Sequence, residues 1–200
     1  MVAMNKMTGR LIFVHCKFII HLLVCLVGLL PTKLISFLFH LSRGISGKIG
    51  ILIRYLLLSN LAKCCGENVV IKENVYIYSP NKIEFGDNVS IHPLCYLDAS
   101  GDIYIGDNVS IAHSTSIMTT NHSWENKEIP IKYNAIDCGK VTIHSDVWIG
   151  CGVRILAGVE IFSHSIVAAG CVVTKDVSSD TLVALSLIHI SEPTRHLRIS

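Results

Sequence analysis

The chain has few charges and, over its first third, none that are negative. Only 16% of its 200 residues are charged, half are apolar, and no aspartate or glutamate precedes Glu67. This composition excludes an intrinsically disordered chain, because such chains combine low hydrophobicity with high net charge. A disulfide-stapled miniprotein is excluded too, because 200 residues can bury a core of their own. The net charge of +2 therefore hides a basic, apolar arm, residues 1–63, followed by a more acidic remainder.

The chain also lacks an uninterrupted apolar run of membrane-spanning length. A spanning helix needs about 20 apolar residues. The stretch 11–30 has that length, but His15, Lys17 and His21 interrupt it and leave 22–30 as its clean part. Two interpretations stay open, a helix that lies on a membrane or packs on a partner, and a single transmembrane anchor. No small-residue cleavage site follows, which disfavours a cleaved signal peptide.

The cations of the arm favour one class of partner over another. They are Lys6, Arg10, Lys17, Lys33, Arg43, Lys48, Arg54 and Lys63. Because they are scattered among apolar residues and no nucleic-acid-binding motif surrounds them, we expect no nucleic-acid partner. Cations without acids suit the anionic cytoplasmic leaflet of a membrane. With a second apolar helix expected over 49–61, the arm is compatible with a cytoplasmic protein that associates with the inner face of the cytoplasmic membrane.

No CxxC pair occurs among the eight cysteines of the chain. They stand at positions 16, 25, 64, 65, 95, 138, 151 and 171. This spacing predicts reduced thiols that act as small apolar fillers of a cytosolic protein, and it disfavours zinc binding by these cysteines.

An aliphatic residue recurs at every sixth position in the second half of the chain. The run is Ile143, Ile149, Ile155, Ile161, Val167 and Val173, and a small side chain stands four residues after each. The same spacing occurs earlier at Ile71 and Ile77, at Phe85, Ile91 and Leu97, and at Ile105, Ile111 and Ile117. The two steps of eight residues between these groups predict small bulged corners. Between the last group and Ile143 the spacing stops, which predicts a long loop over 118–142.

A period of six is neither the period of a helix nor the simple alternation of a strand. It predicts a short strand, a tight corner made by Asn, Gly or Asp, and another strand. Three such units close a triangular coil, and stacked coils share one aliphatic core. The motif is identified as the hexapeptide repeat of the left-handed parallel β-helix. The predicted fold is therefore all-β, a left-handed parallel β-helix over 64–184 preceded by the helical arm.

Four motifs within the repeat resemble those of one enzyme family. They are Thr-Thr-Asn-His-Ser at 119–123, Val-Trp-Ile-Gly at 147–150, Leu-Ala-Gly-Val at 156–159 and Ala-Ala-Gly-Cys-Val-Val-Thr-Lys-Asp at 168–176. Together they resemble the galactoside, maltose and capsule-type O-acetyltransferases of the hexapeptide family, over about 66–177. The resemblance implies acetyl-CoA as donor, a sugar hydroxyl as acceptor, no metal, and a homotrimer with its sites between subunits. We expect the acceptor to belong to surface polysaccharide biosynthesis.

The resemblance also assigns individual residues. His122, on the loop that leaves the coils, matches the general base. A sugar hydroxyl is a poor nucleophile until a base accepts its proton, and imidazole titrates near neutral pH. Cys151, Ala169, Thr174 and Lys175 match positions along the acetyl-CoA groove, where the lysine offers a charge to a phosphate.

Simpler interpretations stay open beside these assignments. An exposed loop histidine and a solvated lysine are the ordinary alternatives for His122 and Lys175. Asp98, beside a slip in the repeat, either orients the acceptor sugar or caps a corner with its carboxylate. The histidines at 92, 113, 144 and 164 fall on positions of the repeat that do not point inward, so we expect them at the surface.

Three other functions share part of the pattern. A zinc hydratase of the same fold needs three converging histidines, and beside His113 and His122 no third has the required spacing. A serine O-acetyltransferase would carry a glycine-rich stretch around its histidine and a large acidic helical domain, and this sequence has neither. A non-catalytic scaffold would keep the repeat alone, whereas here the His122 motif is intact.

The C-terminal residues depart from the family pattern. After Asp176 the family continues with a Pro-rich turn and a Gly-x-Pro-Ala segment that helps to hold CoA, and this sequence has neither. Residues 185–200 instead read like the translation of a sequencing adapter, so we expect them to lie outside the fold.

Overall fold

The helices of the arm precede a stack of short strands. The structure, a computed structural model, describes residues 7–184, with side chains from residue 16 onward. The helices are α1 (Met7–Val27), α2 (Thr32–Leu41) and α3 (Gly47–Leu58), with a 3-10 turn at Ser42–Gly44. The predicted adapter-derived tail lies outside the described residues.

The strands form three parallel sheets. The first contains β1 (Cys64–Cys65), β4 (Ile83–Phe85), β7 (Ile103–Ile105), β12 (Val141–Ile143) and β15 (Glu160–Ile161). The second contains β2 (Val70–Ile71), β5 (Ser90–Ile91), β8 (Ser110–Ile111), β13 (Trp148–Ile149), β16 (Ile166–Val167) and β18 (Leu182–Val183). The third contains β3 (Tyr76–Tyr78), β6 (Tyr96–Asp98), β9 (Ser116–Met118), β14 (Arg154–Ile155) and β17 (Val172–Val173). The chain visits the sheets in turn, so that it winds into a β-solenoid of about six turns.

The aliphatic positions of the six-residue repeat form the core of this solenoid. Every one of them from Ile71 to Val173 is at most 4% exposed, and so is every small residue four positions later, from Val75 to Val177. The predicted β-helix and its aliphatic column are confirmed. Each eight-residue step adds one more inward side chain to the first sheet, Ile83 and Ile103, because the extra residues lengthen these strands by one alternation.

Residues with left-handed backbone make the corners. Most are the predicted types: Asn68, Asn74, Asn88, Asn108, Asp102, Asp146, Asp180, Gly152, Gly158 and Gly170. At the corner between the first and second sheets, the amides of Asn68, Asn88 and Asn108 stack, with N···O distances of 3.1 and 3.2 Å. Corner formation by Asn, Asp and Gly is therefore confirmed, although Ser79, Leu94, Ser114 and His164 also adopt this conformation.

Leu94 is a strained exception among the corner residues. Its φ is +62°, and its side chain is 59% exposed, so little packing offsets the strain. The left-handed conformation costs an ordinary L-residue about 1–2 kcal/mol, and asparagine tolerates it. We expect Leu94→Asn to raise the free energy of unfolding by about 1 kcal/mol and the melting temperature by about 2–4 °C. Thermal unfolding measures this; Leu94→Ala, which keeps the strain, is the control, and an equal gain there would contradict the explanation.

The arm contains one helix more than expected. The apolar stretches around 11–30 and 49–61 correspond to α1 and α3, but α2 was not predicted. Pro31 ends the apolar run 22–30 and also precedes Thr32 at the start of α2. A proline at a helix start costs no hydrogen bond and supplies a helical φ.

The helices cover the open end of the solenoid. In the first coil, Val70 and Lys72 donate their N–H groups to the second coil. The backbone N–H and carbonyl of Ile71, which lies between them, therefore point away from the second coil. Arg54 of α3 donates from Nε to the Ile71 carbonyl at 2.9 Å, and the Tyr55 hydroxyl donates to a carbonyl of the same coil at 3.2 Å. Terminal repeats need such caps because a bare strand edge leaves backbone groups unpaired.

The cysteines are all free. Cys95 and Cys171 are buried and serve as the predicted apolar fillers. For Cys25, Cys64 and Cys138 that prediction is wrong, because these side chains are exposed.

No single helix among the described residues has the length and apolar character needed to cross a bilayer. The segments Cys16–Val27 and Thr32–Gly44 meet that criterion only as a pair, and they are bent by 119° relative to each other.

Candidate active site

The predicted loop leaves the solenoid and folds into a hairpin. Its strands, β10 (Thr120–His122) and β11 (Ile136–Cys138), pair antiparallel, with His122 opposite Ile136. The hairpin lies between β9 and β12, at the corner that joins the third sheet to the first. His122 is exposed at the end of its strand. An imidazole is thus presented to solvent from a rigid solenoid, as a proton acceptor for an incoming substrate has to be.

Asp98 anchors the base of this hairpin. Its Oδ1 accepts hydrogen bonds from the N–H and hydroxyl of Ser100, at 3.0 and 2.6 Å, and its Oδ2 accepts one from the Thr120 hydroxyl at 3.1 Å. The Thr119 hydroxyl donates to the Asp98 carbonyl at 2.7 Å. Asp98 therefore caps its corner and fixes the strand that ends in His122. Its predicted contact with an acceptor sugar stays a prediction.

Two glycines let the hairpin base approach the solenoid closely. A Cβ on Gly101 would lie 2.6 Å from the carbonyl oxygen of Thr119, and one on Gly139 would lie 2.6 Å from the backbone nitrogen of Gly158. Real Cβ atoms do not come that close to backbone atoms, so any larger residue would push the base of the hairpin away. The position of His122 is consequently fixed from both sides of the hairpin.

The tip of the hairpin has its own polar clamp. Asn134 is buried; its Oδ1 accepts from the N–H of Asn126 at 3.1 Å and its Nδ2 donates to the carbonyl of the same residue at 3.0 Å. Around this clamp Trp124, Ile131 and Tyr133 are exposed. The hydrogen bonds between the Asn134 side chain and the backbone thus order the tip, while its large apolar side chains point outward.

The four predicted acetyl-CoA residues lie along both edges of the third sheet. Cys151 and Ala169 stack in successive coils at the corner between the second and third sheets, where the Gly170 N–H donates to the Cys151 carbonyl at 2.8 Å. Thr174 and Lys175 follow β17 and are exposed. They lie at the corner between the third and first sheets, the same edge from which the hairpin emerges. One chain therefore brings Thr174 and Lys175 to the edge that carries His122, and it places Cys151 and Ala169 at the opposite edge.

The remaining histidines of the solenoid are at least partly exposed, as predicted. His144 lies 2.6 Å from a Glu160 carboxylate oxygen, and His164 lies 2.7 Å from one of Asp146, which raises the pKa of His164. His92 is half-buried; burial first, and then neighbouring cations, lower its pKa. Within residues 7–184, no group of three His, Cys, Asp or Glu side chains is arranged to hold a metal ion.

Sequence reasoning missed a groove on the outer face of the second sheet. It encloses about 780 Å³, and its lining includes Ser90, His92, Ser110 and Trp148. Three of these residues directly precede an inward isoleucine of the repeat, so the period of six could have placed them on one outer face. The sequence does not reveal that their side chains leave a hollow between the corners.

Comparisons with known proteins agree with the repeat and the fold. Residues 140–175 match the family model described as bacterial transferase hexapeptide (six repeats). A galactoside O-acetyltransferase of Lactococcus lactis is 49% identical over 45 residues, 22% of this chain and 21% of the relative. A putative acetyltransferase of Schizosaccharomyces pombe is 41% identical over 58 residues, 26% of this chain and 28% of the relative. The chain thus spans about a quarter of the length of the curated relatives it matches.

Solved structures match over most of the chain. A hexapeptide-repeat-containing acetyltransferase of Vibrio cholerae, complexed with acetyl coenzyme A, is 29% identical with a TM-score of 0.69, covering 84% of this chain and 87% of its own. A galactoside acetyltransferase in complex with coenzyme A is 27% identical with a TM-score of 0.67, covering 76% and 74%. These matches support the acetyltransferase resemblance predicted from the motifs. The chain contains hexapeptide repeats, and its fold is that of the hexapeptide-repeat acetyltransferases.

Proposed function

We propose that the protein is an acetyl-CoA-dependent O-acetyltransferase that acts on a sugar hydroxyl. The observation that carries the proposal is the hairpin that presents His122 from a solenoid shared with acetyltransferases whose structures contain acetyl-CoA or CoA. The 49% identity over 45 residues to a galactoside O-acetyltransferase supports a sugar oxygen as the acceptor atom. Surface polysaccharide, or its lipid-linked precursor, is the acceptor class we propose.

His122 is the general base of the proposed reaction. It accepts the proton of the sugar hydroxyl while the hydroxyl oxygen attacks the thioester carbonyl carbon, and it returns the proton to the departing CoA sulfur. Acetyl-CoA supplies an activated acyl group, so no cysteine has to act as nucleophile. Backbone N–H groups at the coil corners are suited to stabilise the charge on the carbonyl oxygen. Asp98 contributes indirectly, because it holds Thr120 and hence the strand that carries His122.

The proposed active unit is a homotrimer. The predicted donor-binding residues lie at two edges of one sheet, so a cleft that uses both edges is completed by neighbouring copies rather than by one chain. The exposed apolar tip of the hairpin, with Trp124 and Tyr133, provides a surface that such a neighbour can cover. Sedimentation equilibrium of the full chain tests this directly, since a monomer at assay concentration would contradict it.

The reaction is tested with acetyl-labelled acetyl-CoA and a panel of free sugars and oligosaccharides. We expect acceptor-dependent release of the CoA thiol together with label in an alkali-labile ester of the sugar. Thiol release without acceptor measures hydrolysis and is subtracted. Label that enters only amines, or no transfer to any saccharide while acetyl-CoA binds, would overturn the assignment of a sugar hydroxyl.

Lys175 provides a second prediction, at the donor side of the site. Lys175 is exposed, and we propose that its ammonium contacts a phosphate of CoA; an exposed charge contact of this kind contributes about 0.5–1 kcal/mol. We expect Lys175→Ala to raise the KM for acetyl-CoA about two- to fivefold, with kcat little changed. Lys63→Ala, which removes an exposed lysine beside β1, is the matched control. Equal effects of the two substitutions would contradict a donor contact at Lys175.

A further inference from the structure

The helical arm leaves an unusual amount of apolar surface uncovered. Leu22, Leu26 and Leu29 form an exposed row along and just beyond α1 that begins at Phe18, which is 82% exposed. On α2 the exposed row is Leu34, Phe37 and Leu41, and on α3 Ile49 is 73% exposed. Monomeric soluble proteins rarely expose connected apolar patches of this extent. The exposed rows are therefore candidates for a docking surface.

The opposite faces of the helices pack against the rest of the protein. Ile20 of α1 and Ile35 and Phe39 of α2 are buried in the core that the arm shares with the first coil. Asn60 donates to the Val24 carbonyl at 3.1 Å and so ties α1 to the end of α3. Each helix therefore offers one face only, which is the arrangement of helices that lie in a membrane interface.

Two lysines accompany the apolar rows. Lys33 lies in the first turn of α2 next to Leu34, and Lys48 lies in the first turn of α3 next to Ile49; neither turn contains an acid. A cation at a helix N-terminus is opposed by the helix dipole, so these lysines do not favour their helices in water. An anion bound there satisfies both the lysine and the exposed N–H groups. The placement suits the phosphates of anionic lipids.

A second copy of the arm is a poorer partner on grounds of charge. The first 66 residues contain no aspartate or glutamate, so two arms face to face would bring cations against cations. An anionic bilayer has the complementary charge as well as an apolar interior, and each lysine near such a surface contributes about 1 kcal/mol. We propose that the outer faces of α1, α2 and α3 dock the protein on an anionic phospholipid surface, with the solenoid held above it.

Vesicle flotation with the full chain tests the proposal. We expect binding to vesicles of phosphatidylcholine mixed with phosphatidylglycerol, weaker binding at high salt, and little binding to phosphatidylcholine alone. Leu26→Glu with Phe37→Glu is expected to lower the partition coefficient about tenfold or more. Lys33→Glu with Lys48→Glu is expected to lower it at least fivefold per lysine on the mixed vesicles only.

Matched controls separate docking from folding and from catalysis. Leu94→Glu introduces the same charge on an exposed leucine of the solenoid, and we expect it to bind vesicles like the unchanged chain. Circular dichroism checks that each variant is folded, and His122→Ala is expected to bind membranes normally. Equal binding to neutral vesicles, no binding to any vesicle, or a change of oligomeric state on Leu26→Glu with Phe37→Glu would overturn the proposal; the last outcome would assign the surface to a second copy.

Discussion

His122→Ala is expected to lower kcat for acetyl transfer by about 10²- to 10⁴-fold, the range that a positioned general base supplies. The side chain is exposed on β10, so its removal leaves no cavity, and the melting temperature should stay within about 1 °C. Binding of acetyl-CoA should persist, because the substitution removes the proton acceptor and none of the residues proposed to hold the donor. Initial rates at saturating acetyl-CoA and acceptor, with a calorimetric binding measurement, check both parts.

The control for this substitution is His40→Ala. His40 is another exposed histidine, but it lies on α2, away from the hairpin, and we expect unchanged kcat. Transfer that survives undiminished in His122→Ala would show that the proton leaves by another route, and the proposed mechanism would then be wrong. Loss of transfer in both variants would instead indicate that histidine replacement damages the protein in general.

The fold was predictable because one physical rule repeats along the chain. Each coil can bury its aliphatic side chains only by stacking, so the period of six had to recur wherever the solenoid continues, as it does from Ile143 to Val173. The same rule located the hairpin by its failure, since the six-residue spacing stops between Ile117 and Ile143. The period does not extend into the arm, so it could not predict the helices there. Helix α2 has only ten residues, and the proline that precedes it also follows an apolar run, so its position alone did not show that a helix begins there.

The site was predictable only in part, because several of its contacts join residues that are far apart in the sequence. His122 stood out because its motif is contiguous. The contact between Asp98 and Thr120 joins residues 22 apart, and the pair His144–Glu160 joins residues 16 apart. Such pairs follow from which coil lies above which, and for Asp98 and Thr120 the eight-residue step from Leu97 to Ile105 decides that. The sequence alone showed the slips but not which side chains they bring into register.

Arg54→Ala is expected to lower the free energy of unfolding by about 3–5 kcal/mol. The guanidinium is fully buried, and it donates to the carbonyls of Ser42, Ile45 and Ile71 at 2.8, 2.8 and 2.9 Å. Burial lowers the pKa of Arg54, but from so high a value that the side chain stays charged at neutral pH. Removal would leave three carbonyls without this donor, two of them in the buried residues Ser42 and Ile71, and a cavity between α3 and the first coil.

Arg154→Ala is the matched control that isolates burial as the cause. Arg154 also donates to three carbonyls, those of Ser114, Gly152 and Val153 at 2.9–3.1 Å, but it lies on the exposed outer face of the third sheet. Water replaces its hydrogen bonds, so we expect a loss of about 1 kcal/mol or less in urea unfolding. Amide hydrogen exchange should show the Arg54→Ala loss first in α1, α2, α3 and the first coil, because the cap opens before the aliphatic column does. Equal losses for the two arginines would contradict the view that the solenoid depends on a buried cation to close its first edge.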